Sequence, residues 1–340
     1  MSENSTTQSR YIKSYEIRRA YQGGVQYPPA ISGVQGAIDI HCHADAAHHD
    51  ALSVAKLASK NGMRGILYKS IAGKQRAESV KKVREALHRW CDEEKVEPIL
   101  CWSGCNVANR AAPPSAAKIR EQLDGGINAV WMPVAMHANT LSQIGGRKSW
   151  WDPTAGRGEL TPALSWDEAL KVGQYLLDEH GKLKQEIKEI IQVLRDRDVP
   201  LFFGHATHPE IFALAEECQK LGHKKAVIDH PFSPFVNLSI PQMTELGKAG
   251  MYLNFTYDEL SPLLGVDPFD MYKAIRSIGV EQVTLSSDCG EPLFPNSVEG
   301  MRQMRAYMEA FGLSKEEIKT VSCDNPAKIL GLPQLRRQRV

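Results

Sequence analysis

The stretch Ala37-Ile38-Asp39-Ile40-His41-Cys42-His43 decides how this chain is read: a short apolar run that ends on two imidazoles two residues apart. In an extended strand alternate side chains point the same way, so Asp39, His41 and His43 are expected on one face and Ile40 and Cys42 on the other. Two histidines so placed at a strand end could bind one ion together, whereas Cys42 reads as a small buried residue. Three further apolar runs end on similar residues. Val199-Pro-Leu-Phe-Phe203 leads into Gly204-His205, Lys225-Ala-Val-Ile228 into Asp229-His230, and Gln282-Val-Thr-Leu285 into Ser286-Ser287-Asp288. Imidazole is the commonest metal ligand. A lone His-x-His says little about metal; three more strand-end ligands in order say much more.

Working outward, apolar runs recur near 37–41, 64–68, 97–102, 127–134, 199–204, 225–229, 250–255 and 282–286. Between most of them the apolar spacing is i, i+3, i+4, as in Ala51-Leu-Ser-Val-Ala-Lys-Leu-Ala-Ser-Lys60, which predicts an amphipathic helix stopped by Asn61-Gly62. Eight strands alternating with helices predict a closed parallel sheet, an α/β chain of the (β/α)8 barrel type, whose sites lie at the C-terminal strand ends. One interval is far longer than the rest: after strand four, Ala138 to Leu164 reads as a loop and Trp166–Arg197 as a long helix. Trp150, Trp151, Arg147 and Arg157 in that loop suit an aromatic or anionic substrate, or anchor the loop. The expected organisation is an N-terminal extension (1–35), the barrel (36–333) and a short basic tail (334–340).

The 340 residues carry 41 basic and 40 acidic side chains, so neither nucleic acid nor a membrane surface is expected as partner. No apolar stretch approaches the ~20 residues of a membrane span, and the polar N-terminus has no hydrophobic signal segment. Seven scattered cysteines without a Cys-x-x-Cys pair suggest a cytoplasmic protein with reduced thiols.

Asp39-x-His41-x-His43 on strand one, His205 on strand five, His230 on strand six and Asp288 on strand eight together resemble the amidohydrolase superfamily of metal-dependent hydrolases. The closing Asp324-Asn-Pro-Ala-Lys-Ile-Leu-Gly-Leu332 is similar to the helix that often ends these barrels. The resemblance, over roughly residues 36–333, implies that His41 and His43 hold a first metal ion and that Asp288 is both ligand and proton acceptor. His205 and His230 would hold a second ion; in single-metal members His205 joins the first, and His230 polarises the substrate or moves protons. The resemblance also exposes a departure. Two-metal members usually bridge the ions with a carboxylated lysine or a glutamate at the end of strand four, where this chain reads Ala129-Val-Trp-Met-Pro-Val-Ala-Met-His137. A lysine ends strand two instead, Ile66-Leu-Tyr-Lys69. It could be a carboxylated bridge, a catalytic group in direct contact with substrate, or half of a structural ion pair.

His137 and His208 are further candidates for substrate contact, with a structural role open for each. Asp39 is expected to hold structure or orient a histidine rather than bind metal. The function implied is hydrolysis of an amide, lactam, lactone or ester-like bond of a small molecule by metal-activated water. One or two divalent ions are expected, Zn2+ first, with Mn2+ or Fe2+ compatible. One rival is a single-metal, non-oxidative decarboxylase of an aromatic or unsaturated acid, suggested by Ser287-Asp288-x-x-x-Pro292 and the unbridged strand four. The other is a catalytically silent barrel that binds a ligand. A homo-oligomer is expected.

Overall fold

Each of the eight apolar runs forms a strand, and every strand pairs in parallel with its successor in the chain. The computed structural model describes residues 33–44, 50–71, 76–107, 113–144, 163–290 and 294–333. The strands are β1 (Ile38–Ala44), β2 (Gly65–Ile71), β3 (Leu100–Asn106), β4 (Ala129–Trp131), β5 (Leu201–Phe202), β6 (Ala226–Asp229), β7 (Tyr252–Thr256) and β8 (Val283–Ser286). Parallel neighbours need a crossover, and helices such as Ala51–Lys60, Arg76–Glu94, His208–Leu221 and Ser297–Phe311 supply it. The ring closes just past β8. There the Asp288 N–H donates to the His41 carbonyl (2.8 Å) and the His43 N–H to that of Cys289 (2.9 Å). The molecule is a (β/α)8 barrel. Residues 1–32 of the expected extension (1–35) and the expected tail, 334–340, lie outside the described residues.

Alternation of side chains divides the packing into an interior and a helix-side layer. Ile38, Ile40, Leu67, Ala129, Trp131, Phe202 and Val227 fill the barrel, with Trp131 stacked on Phe202 at 4.0 Å. Burying each large apolar side chain contributes about 1.5–3 kcal/mol. The closing helix Asn325–Ile329 supplies the floor. Asn325 Nδ2 donates to the carbonyls of Val280 and Val283, and Ala327 and Ile329 join the interior core. With an apolar floor, polar side chains are left to the opposite end, where the strands terminate.

Three expectations are corrected. The pairing of β1 with β2 shifts between Asp39 and Cys42 and again before His43, so β1 is bulged. An extra residue in a strand re-aims the side chains beyond it. Asp39 precedes the shift and lies between the interior Ile38 and Ile40, so it turns away to accept from the hydroxyls of Ser287 (2.5 Å) and Ser297, while the shift re-aims His41 and His43 off its face. The long helix expected over Trp166–Arg197 is two helices, Trp166–Val172 and Gln185–Asp196. Gly173 ends the first because the chain turns to pair with the strand-four loop, where Gln174 N–H donates to Met136 O and Ala138 N–H to Gln174 O. The interval read as a loop from Ala138 opens with a helix, Ala138–Ile144. Residues 145–162, with Arg147, Trp150, Trp151 and Arg157, lie outside the described residues. No described helix is long and apolar enough to cross a membrane.

Candidate metal centre

Five residues at strand ends converge at the mouth: His41 and His43 from β1, His205 after β5, His230 after β6 and Asp288 after β8. Their placement requires unusual backbone. His230 (φ 33°) and Asp288 (φ 48°) both adopt the left-handed conformation, uncommon for residues other than glycine. Glycine is needed beside two of the ligands. At Gly204 (φ +60°) a Cβ would lie 2.7 Å from the Met132 carbonyl, and at Gly290 (φ +149°) it would lie 2.3 Å from His43 Cβ. Gly204 and Gly290 thus let the ends of β5 and β8 turn close against β4 and β1.

All four imidazoles commit Nδ1 to a protein oxygen. His41 Nδ1 meets Asp229 Oδ1 at 3.0 Å, His43 meets Ser70 Oγ at 2.7 Å, His205 meets Thr140 Oγ1 at 2.7 Å and His230 meets Ser233 Oγ at 3.0 Å. Two tautomers follow. Ionised Asp229 only accepts, so His41 carries its proton on Nδ1. Thr140 spends its hydroxyl hydrogen on the Val134 carbonyl (2.7 Å), so His205 must donate through Nδ1 as well. In His205, and in His41 when its ring is neutral, Nε2 is left with a lone pair. Nδ1 tied to an oxygen and Nε2 presented inward is the arrangement of metal-ligating histidines.

The β1–β8 corner tests whether an ion fits. His41 Nε2 is buried with no hydrogen-bond partner and lies 3.1 Å from Asp288 Oδ1, while His43 Nε2 lies 3.0 Å from the same oxygen. A ring lone pair facing a carboxylate oxygen needs a cation between them, either a proton or a metal. The ligand atoms of His41, His43 and Asp288 all lie within 4.8 Å of one another, and a two-nitrogen, one-oxygen set suits zinc, manganese or iron. The residues fit a divalent ion.

Electrostatics divide the cluster. Burial opposes a charge on His41, but Asp288 and Asp229 outweigh it and raise its pKa to about 9. Burial likewise opposes ionisation of Asp288, yet the His41 charge and the close approach of the His41 and His43 rings hold its carboxyl well below the usual range. Burial pushes His230 down to about 4 and His205 well below its ordinary value, where a second protonated ring beside His230 and near the Lys69 charge is opposed further. Both are neutral.

Lys69 is buried on β2 and its charge acts on this cluster. The rings of His137 and His208 bond elsewhere. His137 donates through Nε2 to Glu210 (3.0 Å) and accepts the Asn139 N–H at Nδ1 (3.0 Å), so both ring nitrogens are occupied. His208 Nε2 donates to the Val236 carbonyl at 2.7 Å.

Two carboxyls went unassigned from sequence. Asp229 accepts from His41, from Trp131 Nε1 (2.8 Å) and from Asn254 Nδ2 (2.9 Å), orienting the first ligand. Its signal was the interior Val227 two residues earlier on the same strand. Asp258, half-buried after β7, is raised to about 8 by burial and then by the Asp288 charge. Its signal was its position in the turn Thr256–Glu259, immediately past an apolar strand.

Solved structures with this fold include an amidohydrolase from Pseudomonas aeruginosa (12% identity, 87% of this chain and 95% of that one, TM-score 0.56). A dihydroorotase from Campylobacter jejuni is similar too (14% identity, 92% and 88%, TM-score 0.53). So is a putative 2-pyrone-4,6-dicarboxylic acid hydrolase from Pseudomonas putida (13% identity, 87% and 97%, TM-score 0.51). The structural neighbours are amidohydrolase-superfamily barrels. No curated protein matches the chain in sequence. The family model described as "Family of unknown function (DUF6282)" matches residues 36–254, more than half of the chain, which therefore belongs to that family.

Proposed function

We propose that this chain is a metal-dependent hydrolase acting on an amide, lactam, lactone or ester-like bond of a small molecule. The observation that carries this reading is the inward turn of the histidines, each with Nδ1 held by a protein oxygen, around Asp288. His41, His43 and Asp288 would hold one ion tightly, zinc first among the candidates, and His205 with His230 a second, weaker one. A divalent ion held there would polarise the scissile bond and lower the pKa of water toward neutrality. Asp288, ionised at any physiological pH, is the group that accepts the proton of the attacking water. Asp258 keeps its proton at neutral pH and can return one to the leaving group, a division of labour that split pKa values allow. The end of β4 offers no bridging carboxylate, because Trp131 there turns into the barrel core. All seven cysteines are buried free thiols, which suits the cytoplasm.

The test combines metal content with isotope uptake. Hydrolysis predicts retained zinc and one 18O atom from labelled water in the product of a panel of lactones, lactams and amides. Carbon dioxide release from aromatic acids without 18O uptake would establish the decarboxylase instead. A chain that retains no metal would end both readings.

A further inference from the structure

Lys69 is a buried cation whose role the metal centre does not explain. On β2, Leu67 lies inside the barrel and Tyr68 outside it, its hydroxyl donating to Ala51 O (2.9 Å). Lys69 therefore faces the barrel axis one layer above Leu67, toward the mouth, and is only 5% exposed. Its charge is felt at His41, His205, His230, Asp229, Asp258 and Asp288, so it stands among groups drawn from five other strand ends. Arg76 Nη1 donates to the Lys69 carbonyl (2.9 Å) and fixes the strand end that displays the ammonium. Among the described residues Nζ has no ion-pair or hydrogen-bond partner. Asp288 Oδ1 faces His41 and His43, and Asp229 is occupied by His41, Trp131 and Asn254.

An ammonium in so enclosed a site, with no carboxylate bonded to it among the described residues, is costly, and a metal ion beside it only adds to the positive charge. With only the tighter β1–β8 ion bound, that ion and Lys69 together exceed the ionised Asp229 and Asp288 by a single charge. We infer that Lys69 receives a carboxylate of the substrate, so that the molecule hydrolysed is a monoanionic acid whose carboxylate lies at the end of β2. A phosphate monoester would overshoot the balance. This deepens the hydrolase reading and rests on it. A carboxylate fixed on β2 orients the substrate across the mouth and holds the reacting bond against the β1–β8 corner.

The test uses crystals of the zinc-loaded protein soaked in bromide, with zinc content measured on wild type, Lys69→Met and Lys69→Arg. The expected result is an anomalous bromide peak in contact with Lys69 Nζ, absent from Lys69→Met and kept by Lys69→Arg, with equal zinc per chain in all three. Acetate should clear that peak at a concentration at least tenfold below inorganic phosphate. Bromide bound only at zinc, or phosphate clearing the peak more readily than acetate, overturns the inference. So does loss of one zinc per chain from Lys69→Met, because Lys69 would then be a ligand, as a carboxylated lysine is. The wild-type soak decides by itself if Lys69→Met does not fold. Zinc retained without bromide at Lys69 sinks this inference alone; a wild type that retains no zinc sinks the hydrolase reading with it.

Discussion

The β1–β8 and β5–β6 corners of the barrel present the same kind of side chain to the same space, yet they are backed by different chemistry. At the first, His41 leans on the carboxylate Asp229 and shares Asp288 with His43. At the second, His205 leans on the Thr140 hydroxyl and stacks on Phe235 at 4.2 Å, and His230 leans on Ser233. Anionic backing makes an imidazole more basic and so a stronger ligand; a hydroxyl orients the ring without adding charge. Under the proposed function the contrast ranks the two corners, with tighter metal binding expected at β1–β8 and weaker binding at β5–β6. The harshest way to break that ranking is Asp288→Asn, which removes the only charged ligand of the tight set. Zinc affinity measured against a chelator should fall by more than the ~10–100-fold typical of a change one layer out from an ion. If His205→Ala weakened the tightest zinc more than Asp288→Asn did, the ranking would be inverted.

A pH series gives the next largest effect. The ion must displace the His41 proton, whose pKa is about 9, so affinity at β1–β8 should fall about tenfold per unit below that pH, roughly a hundredfold from pH 9 to 7. At β5–β6, His230 with a pKa of about 4 is already deprotonated, and affinity there should stay flat down to about pH 5. Stability of the metal-free chain has the matching sign. The folded His41 pKa lies above the ordinary 6.5 of an imidazole, so its contribution is full below that pH and is lost as pH rises through about 9. Melting in chelator across this window should show the decline, and zinc should abolish it. Asp229→Asn sharpens the same point at smaller amplitude. It removes the charge behind His41 and leaves one carbonyl oxygen for three donors. The tight zinc should weaken about 10–100-fold and the fold should lose about 3–5 kcal/mol. Zinc at β5–β6 should be unaffected.

The barrel was legible because strand and helix periods differ and glycine marks the helix ends, as at Asn61-Gly62. The histidines and Asp288 were legible because each directly follows an apolar run. The groups behind them were not. Ser70, Thr140 and Ser233 are ordinary hydroxyl residues in sequence, and Thr140 meets His205 only because the long interval opens with the helix Ala138–Ile144. The shared face of Asp39 with His41 and His43 was misread for a local reason, since a bulge resets alternation and leaves no mark in composition. His137 looked like a mouth residue because it follows strand four. Only the fold shows it pointing at Glu210, whose other oxygen takes up the Thr207 N–H at the start of the next helix.

Thr140→Val is the mildest probe, and it asks whether the two corners are independent. Valine keeps the shape but removes both the acceptor for His205 Nδ1–H and the donor to Val134 O. A buried N–H left without a partner costs about 1–3 kcal/mol, and the ring loses its orientation and fixed tautomer. Because no charge is removed, zinc at β5–β6 should weaken by about tenfold at most, at the low end of the range for such supporting groups. Thr140→Ser should restore it. Zinc at β1–β8 should not respond, since its backing runs through Asp229 and not through the strand-four helix. Zinc titrations at two stoichiometries would show this directly. Equal weakening at both corners would mean that they share one ion, with His205 in its ligand set, and the division between charged and neutral corners would then describe one coordination sphere.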